Sequence, residues 1–259
     1  MAVLDSDLIA VENDIEVGLG GSKQLLADIY RPPAARDKHT AILHLHGGGF
    51  RGGTKAGARE ARPLAALGYT CVSGTYRLIG EGLWPAQLED VKTYLSWIRG
   101  NNARLGVDAG KLVVLGYSAG ARLALLAAGD VDGVAACIAF YPPAGLERPR
   151  APHPLLGETF TDAQWRSFSP LLSVREGFPP TMLLHGTADK TIPVEDSVAL
   201  YQAFRSANVP VELHVVEGVT HIFDAHAEFA EAAATWIDLF LDRHVANPRT
   251  IPSTEPGAR

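Results

Sequence analysis

The chain has 259 residues, with 23 Lys and Arg against 29 Asp and Glu, a formal net charge of -6 and 47% hydrophobic residues. A chain of that length buries enough apolar surface to fold without disulfides or a structural metal. Its mild acidity gives no basis for a nucleic-acid or anionic-membrane partner, and no apolar run approaches the roughly 20 residues a membrane span needs.

Residues 1–14 carry Asp5, Asp7, Glu12 and Asp14 and neither a basic n-region nor an apolar h-region, so they do not read as a signal peptide. Residues 11–17 and 25–30 are predicted strands, joined through Gly18-Leu-Gly-Gly-Ser22, a hairpin signal. Residues 40–46 form a short buried strand, followed by the glycine-rich loop 47–53. A helix is expected over 55–67, ending at Gly68, with Pro63 inside it. A strand at 70–76 and a helix at 86–99, entered through Trp84-Pro85, come next. Residues 111–116 are the clearest central strand, and 118–128 a small-residue helix behind it.

A strand is expected at 133–141. The segment 142–172 carries six prolines and reads as irregular, a small lid in prospect. Strand 181–185, helix 194–207, strand 211–216 and helix 225–243 complete the pattern. From 246 to 259 the chain reads as a disordered tail with Pro248, Pro252 and Pro256. After the hairpin, strands and helices alternate. That argues an α/β fold: a mostly parallel central sheet, an antiparallel N-terminal hairpin and helices on both faces, in one domain over 1–245. Cys71 and Cys137 each sit in an apolar run and read as reduced, buried small hydrophobes. The chain reads as cytoplasmic.

The strongest local chemical signal is Gly116-Tyr117-Ser118-Ala119-Gly120, between a predicted strand and a predicted helix. That context suits a nucleophile elbow, with Ser118 projected outward beside a helix N-terminus. The same five residues also fit an ordinary glycine-bounded turn. A serine needs a base to become a nucleophile. Asp189, just past a strand end, fits the acid that orients such a base; Asp196 competes but falls inside a helix. His221, past the last strand, fits the base. A His221/His226 metal pair lacks further ligand spacing, and no metal site is expected. His44 and His46 read as packed histidines near the site. His46-Gly47-Gly48-Gly49-Phe50 follows a strand, and is a candidate for a loop whose glycines bring backbone N–H groups close to a reacting oxygen; a flexible glycine turn or, less well supported without a following Gly-Lys-Ser/Thr, a phosphate cradle are the alternatives.

These four elements together resemble the α/β-hydrolase fold. More narrowly they resemble its carboxylesterase branch, the hormone-sensitive-lipase-like and bacterial feruloyl/acetyl-esterase-like enzymes. Tyr76-Arg-Leu with Trp84-Pro-Ala-Gln-Leu-Glu-Asp90 is similar to a second block of that branch. The resemblance runs from about residue 12 to 243. It implies Ser118 as nucleophile, Asp189 as acid and His221 as base, with Gly48, Gly49 and Ala119 donating to the oxyanion. The chain departs at Ala121-Arg122, where the branch often has a second glycine and a histidine.

The implied reaction is two-step acyl transfer on a small-molecule ester, without a cofactor. A serine amidase, peptidase or lactonase, or a non-catalytic ligand-binding homologue, are the alternatives. Phe50, Trp84, Tyr117 and Ile222 are the candidate substrate contacts, each equally readable as core, as are Leu78, Tyr141, Trp165 and Phe223. Arg51, Arg77 and Arg122 lie close in sequence to the site motifs and could meet an anionic substrate group, but Arg77 reads rather as a structural ion-pair partner, and Arg51 and Arg122 as solvated. A monomer or a homodimer is expected.

Overall fold

A computed structural model describes residues 9–251. The readings of the first residues and of the C-terminal tail therefore fall partly on 1–8 and 252–259, outside the described residues. The chain opens with β1 (Ala10–Gly20) and β2 (Lys23–Arg31). These pair antiparallel, with Gly20 opposite Lys23, so the turn shrinks to Gly21-Ser22. Gly21 supplies the positive φ, 61°, that such a tight turn requires.

β3 (Ala41–Leu45), α1 (Ala61–Ala66) and β4 (Thr70–Gly74) follow. The helix expected from residue 55 starts only at Ala61. Pro63 is tolerated there because first-turn N–H groups have no intrahelical acceptor to lose. Next come α2 (Ala86–Gly100), α3 (Asn102–Leu105), β5 (Leu112–Tyr117), α4 (Ala119–Asp130) and β6 (Val134–Phe140). α5 (Asp162–Phe168) and α6 (Pro170–Ser173) lie inside the segment expected to be irregular. Thr161 caps α5 by accepting from the Gln164 N–H, while the Gln164 side chain accepts from the Thr161 N–H. This capping box was readable from Thr161 and Gln164 alone. β7 (Thr181–Gly186), α7 (Val194–Ser206), β8 (Val211–Val216) and α8 (Ala227–Leu241) end the pattern, with a π-helical turn over Asp242–Ala246.

The eight strands form one sheet in the order β1-β2-β4-β3-β5-β6-β7-β8. β1, β2 and β4 pair antiparallel, and every pairing from β4 through β8 is parallel. Alternate side chains serve opposite faces. Leu43, Val114 and Leu183 pack with Leu95 of α2, Leu123 of α4 and Phe204 of α7. Ile42, Val113 and Met182 pack with Leu64 of α1 and Ile237 of α8. Both faces are therefore covered, which is why the central strands read as unbroken apolar runs. Both cysteines are free and buried. Arg77 grips the buried Asp90 through its Nη2, 2.6 Å, and its own backbone N–H, 2.8 Å. No helix among the described residues is long and apolar enough to cross a membrane.

The chain runs from β3 outward to β4 and then returns to β5 on the other side of β3. Loops leaving β3 and β5 consequently part company at the carboxyl end of the sheet. Such a switch point opens a crevice where open α/β sheets bind ligands. The crevice depends on two glycines with negative φ. A Cβ on Gly116 would lie 2.1 Å from the Gly120 carbonyl oxygen, and one on Gly120 would lie 2.1 Å from that of Leu45. Both obstacles are backbone, so Gly120→Ala should destabilise the fold by about 1–3 kcal/mol or more. Urea unfolding of the variant beside wild type measures this, and a loss below 1 kcal/mol (roughly the cost of mild overpacking) would refute it.

Candidate active site

Ser118 stands between β5 and α4 with φ 52° and ψ -114°. A non-glycine residue pays strain to hold that conformation, which the tight turn imposes. Its N–H donates to Phe140 O at 3.0 Å, pinning the turn to β6. The hydroxyl lies 3.2 Å from His221 Nε2. His221 follows β8, and its Nδ1 donates to Asp189 Oδ2 at 2.6 Å. Asp189 follows β7. Its other oxygen accepts from the Thr191 N–H at 2.8 Å and the Ile192 N–H at 3.0 Å. The three residues, distant in sequence, thus form one hydrogen-bonded line.

Burial alone would raise the Asp189 carboxyl. The Ile192 N–H, the His221 ring and the Thr191 N–H outweigh it, and the net shift is downward. The group stays ionised and holds the His221 proton on Nδ1, leaving Nε2 free to accept from Ser118. His185, beneath Asp189, is pushed down by burial and hydrogen-bonds Ile192 O at 3.0 Å and Ser197 Oγ at 2.7 Å. Asp196, the competing acid, holds the Ala144 N–H at 2.7 Å instead of a histidine.

His221 is also held from behind. The Tyr141 ring packs 4.4 Å from its ring, and the Tyr141 hydroxyl donates to Asp224 Oδ1 at 2.6 Å. Arg59 closes that set on Asp224 Oδ2 at 2.6 Å. Nothing in the spacing of Arg59, Tyr141 and Asp224 announces this; β6, the loop after β8 and the approach to α1 bring them together.

The glycine loop after β3 has φ 110° at Gly48 and 61° at Gly49. The Gly48 carbonyl accepts from the Arg51 N–H at 2.9 Å, which curls the loop. No protein acceptor takes the Gly48 or Gly49 N–H among the described residues. The Ala119 N–H is the first of α4 and has no intrahelical acceptor either. His46 stacks on Tyr76 at 4.2 Å and its carbonyl accepts from the Tyr76 hydroxyl at 2.6 Å, so the loop has a rigid base.

Gly48, Gly49, Ser118, Ala119 and His221 border one cavity of about 490 Å³. Of the candidate contacts, Phe50 and Ile222 line it. Tyr117 borders only a smaller recess of about 220 Å³ on the other side of Ser118. Trp84 lines neither: it is buried behind Phe168, ring centroids 5.1 Å apart, and donates to Ser167 Oγ at 2.9 Å. Segment 142–172 supplies Pro143, His153, Leu155 and Phe168 to the cavity wall. Sequence reasoning missed those wall residues, because without α5 the segment had no defined face. Arg122, expected in solvent, also lines the cavity.

The Tyr117 hydroxyl points away from the cavity and donates to the buried Glu60 Oε2. Burial, with the Asp224 charge adding, pushes the Glu60 carboxyl up to about 8. His44, 3.4 Å from the same hydroxyl, is pushed down to about 3 by burial. In the folded state Glu60 keeps its proton above its ordinary 4.5. Its contribution to stability is full below about 4.5 and is lost as pH rises through about 8. Glu60→Gln cannot titrate, so its melting temperature should gain on wild type between about pH 5 and about pH 9. Parallel curves for the two proteins would exclude that role.

The BD-FAE family model matches residues 27–133, and the prolyl oligopeptidase family model matches residues 87–247, which contain Ser118, Asp189 and His221. Esterase LipQ of Mycobacterium tuberculosis is 29% identical across 91% of this chain, which spans 64% of that relative's length. Carboxylesterase NlhH of the same species is 30% identical across 84% of this chain and 77% of its own. The propionate-bound Est2 esterase of Thermogutta terrifontis superposes with a TM-score of 0.76 at 26% identity, covering 95% of this chain and 98% of that one. The sheet order, the strand-to-helix elbow and these likenesses together place the chain in the α/β-hydrolase carboxylesterase family.

Proposed function

We propose that this chain is a serine carboxylic-ester hydrolase for small-molecule esters with short or aromatic acyl groups. The observation that carries the reading is the unbroken line from Asp189 through His221 to Ser118. It ends in an apolar cavity beside backbone N–H groups that have no protein acceptor. The volume of about 490 Å³ lies in the range of small-molecule pockets.

The chemistry then runs as follows. Ser118 Oγ attacks the ester carbonyl carbon as its proton passes to His221 Nε2. The ionised Asp189 steadies the imidazolium from the Nδ1 side. The Gly48, Gly49 and Ala119 N–H groups receive the charge that develops on the carbonyl oxygen. His221 returns the proton to the departing alcohol, leaving an acyl group on Ser118. Water, activated by the same imidazole, repeats the sequence and frees the acid. In this reading segment 142–172 is a small lid over the acyl pocket.

A p-nitrophenyl ester series from acetyl to dodecanoyl tests the proposal. Ser118→Ala should lower kcat by about 10³-fold or more at unchanged folding. Asp189→Asn should keep the fold yet lose about 10³- to 10⁴-fold, since the amide selects the wrong imidazole tautomer. Wild-type turnover that survives in Ser118→Ala would refute the serine mechanism. The prolyl oligopeptidase match over 87–247 favours one second reading, an amidase or peptidase on the same residues. Faster cleavage of the matching p-nitroanilide than of the p-nitrophenyl ester would select it.

A further inference from the structure

Arg122 lies one helical turn beyond the nucleophile: its N–H donates to Ser118 O at 3.1 Å. One turn advances about 5.4 Å along the helix axis. Its guanidinium lies over the Phe168 ring, Cζ 4.1 Å from the centroid. Arg122 Nε is buried with no hydrogen-bond partner. Asp196 is the one carboxylate whose charge acts on it, and that carboxylate is already taken by the Ala144 N–H. Arg122 as a whole is half-buried, but a cation whose Nε is enclosed without a partner is costly unless something else pairs with it. Burial pushes this guanidinium down to about 10, so it is still charged near neutrality.

His153 meets the same ring edge-on, 5.6 Å between centroids. Its Nδ1 accepts from the Leu155 N–H at 3.3 Å and the Leu156 N–H at 3.2 Å. The ring proton is therefore on Nε2, and burial, with the nearby Arg122 charge adding, lowers the imidazole from its ordinary value. Both side chains border the main cavity, and both border a side recess of about 110 Å³. Glu147 edges that recess from its exposed rim and makes no ion pair with Arg122.

We infer that Arg122 and His153 form an anion subsite, and that the preferred substrate is an ester carrying a second, free carboxylate a few bonds from the scissile carbonyl. The inference rests on the esterase reading above and names its substrate class. The planar guanidinium and the Nε2–H offer two kinds of donor to one carboxylate. A single negative charge balances the single cation. A phosphate dianion would leave excess charge in an otherwise apolar cavity, with Glu147 at its rim opposing it.

The test uses half-esters and their neutral counterparts: monomethyl and dimethyl glutarate, adipate and suberate, followed by pH-stat. Wild type should favour the best half-ester over its diester in kcat/KM. In Arg122→Met that ratio should fall by about tenfold to a hundredfold, mostly through KM. Arg122→Lys should recover part of it. A wild type without preference for any half-ester, or an Arg122→Met variant that slows both esters alike, would overturn the inference. Failure of the esterase reading is distinguishable, since wild type would then turn over neither ester. Adipate itself becomes the probe in that case. A stabilising thermal shift in wild type that Arg122→Met abolishes supports the subsite, and no shift in wild type overturns it.

Discussion

Gly120 brings the first turn of α4 against the Leu45 and His46 carbonyl oxygens, with no room for a side chain between them. That approach sets the distance between the end of β3 and the end of β5. The glycine loop and Ser118 can share one cavity only because it is so short. The parallel register Leu45 to Gly116 continues the same alignment into the sheet. The strain at Ser118 follows from it, since the chain must reverse from strand to helix within one residue. A rigid backbone junction holds the loop N–H groups and the Ser118 hydroxyl beside one another without reorganisation, which is what the proposed stabilisation of a transition state would demand.

A second layer governs His221. Asp189 has no exposed side-chain surface, yet it stays ionised because two backbone N–H groups and His221 meet its oxygens. Behind the imidazole stand Tyr141, Asp224 and Arg59, a chain of short polar contacts that ends at the protein surface. Burying so many polar groups is tolerable only where nearly all are paired. Three of the six exceptions among the described residues are informative. Glu60 Oε1 and His44 Nε2 have no partner, and both groups shift toward their neutral forms. Arg122 Nε also has none, but a guanidinium cannot lose its charge near neutral pH.

The line of Ser118, His221 and Asp189 was more legible than the cavity. Ser118, Asp189 and His221 each sit in a loop directly after an apolar strand, and such loops all emerge at the carboxyl edge of a parallel sheet. Sequence order therefore came close to specifying spatial proximity. The wall residues had no such guide. Trp84 and Tyr117 carry the bulk and polarity of ligand contacts, but packing turned Trp84 behind Phe168 and Tyr117 toward Glu60. Phe168 and His153 came from a proline-rich stretch whose helix α5 was announced only by its capping box.

By itself the sequence determined the alternation of strands and helices, the burial of the central strands, the elbow and the order of its three polar residues. These are local matters: apolar periodicity, glycine spacing and turn chemistry act over a few residues. Tertiary structure alone decided which side chains face the cavity, that Arg122 has no ion-pair partner beside it among the described residues, and that Tyr141, Asp224 and Arg59 support His221. Those outcomes depend on contacts between residues far apart in the chain, Arg59 and Asp224 among them. No local propensity encodes such a contact; it arises only when the sheet is closed and its faces are filled.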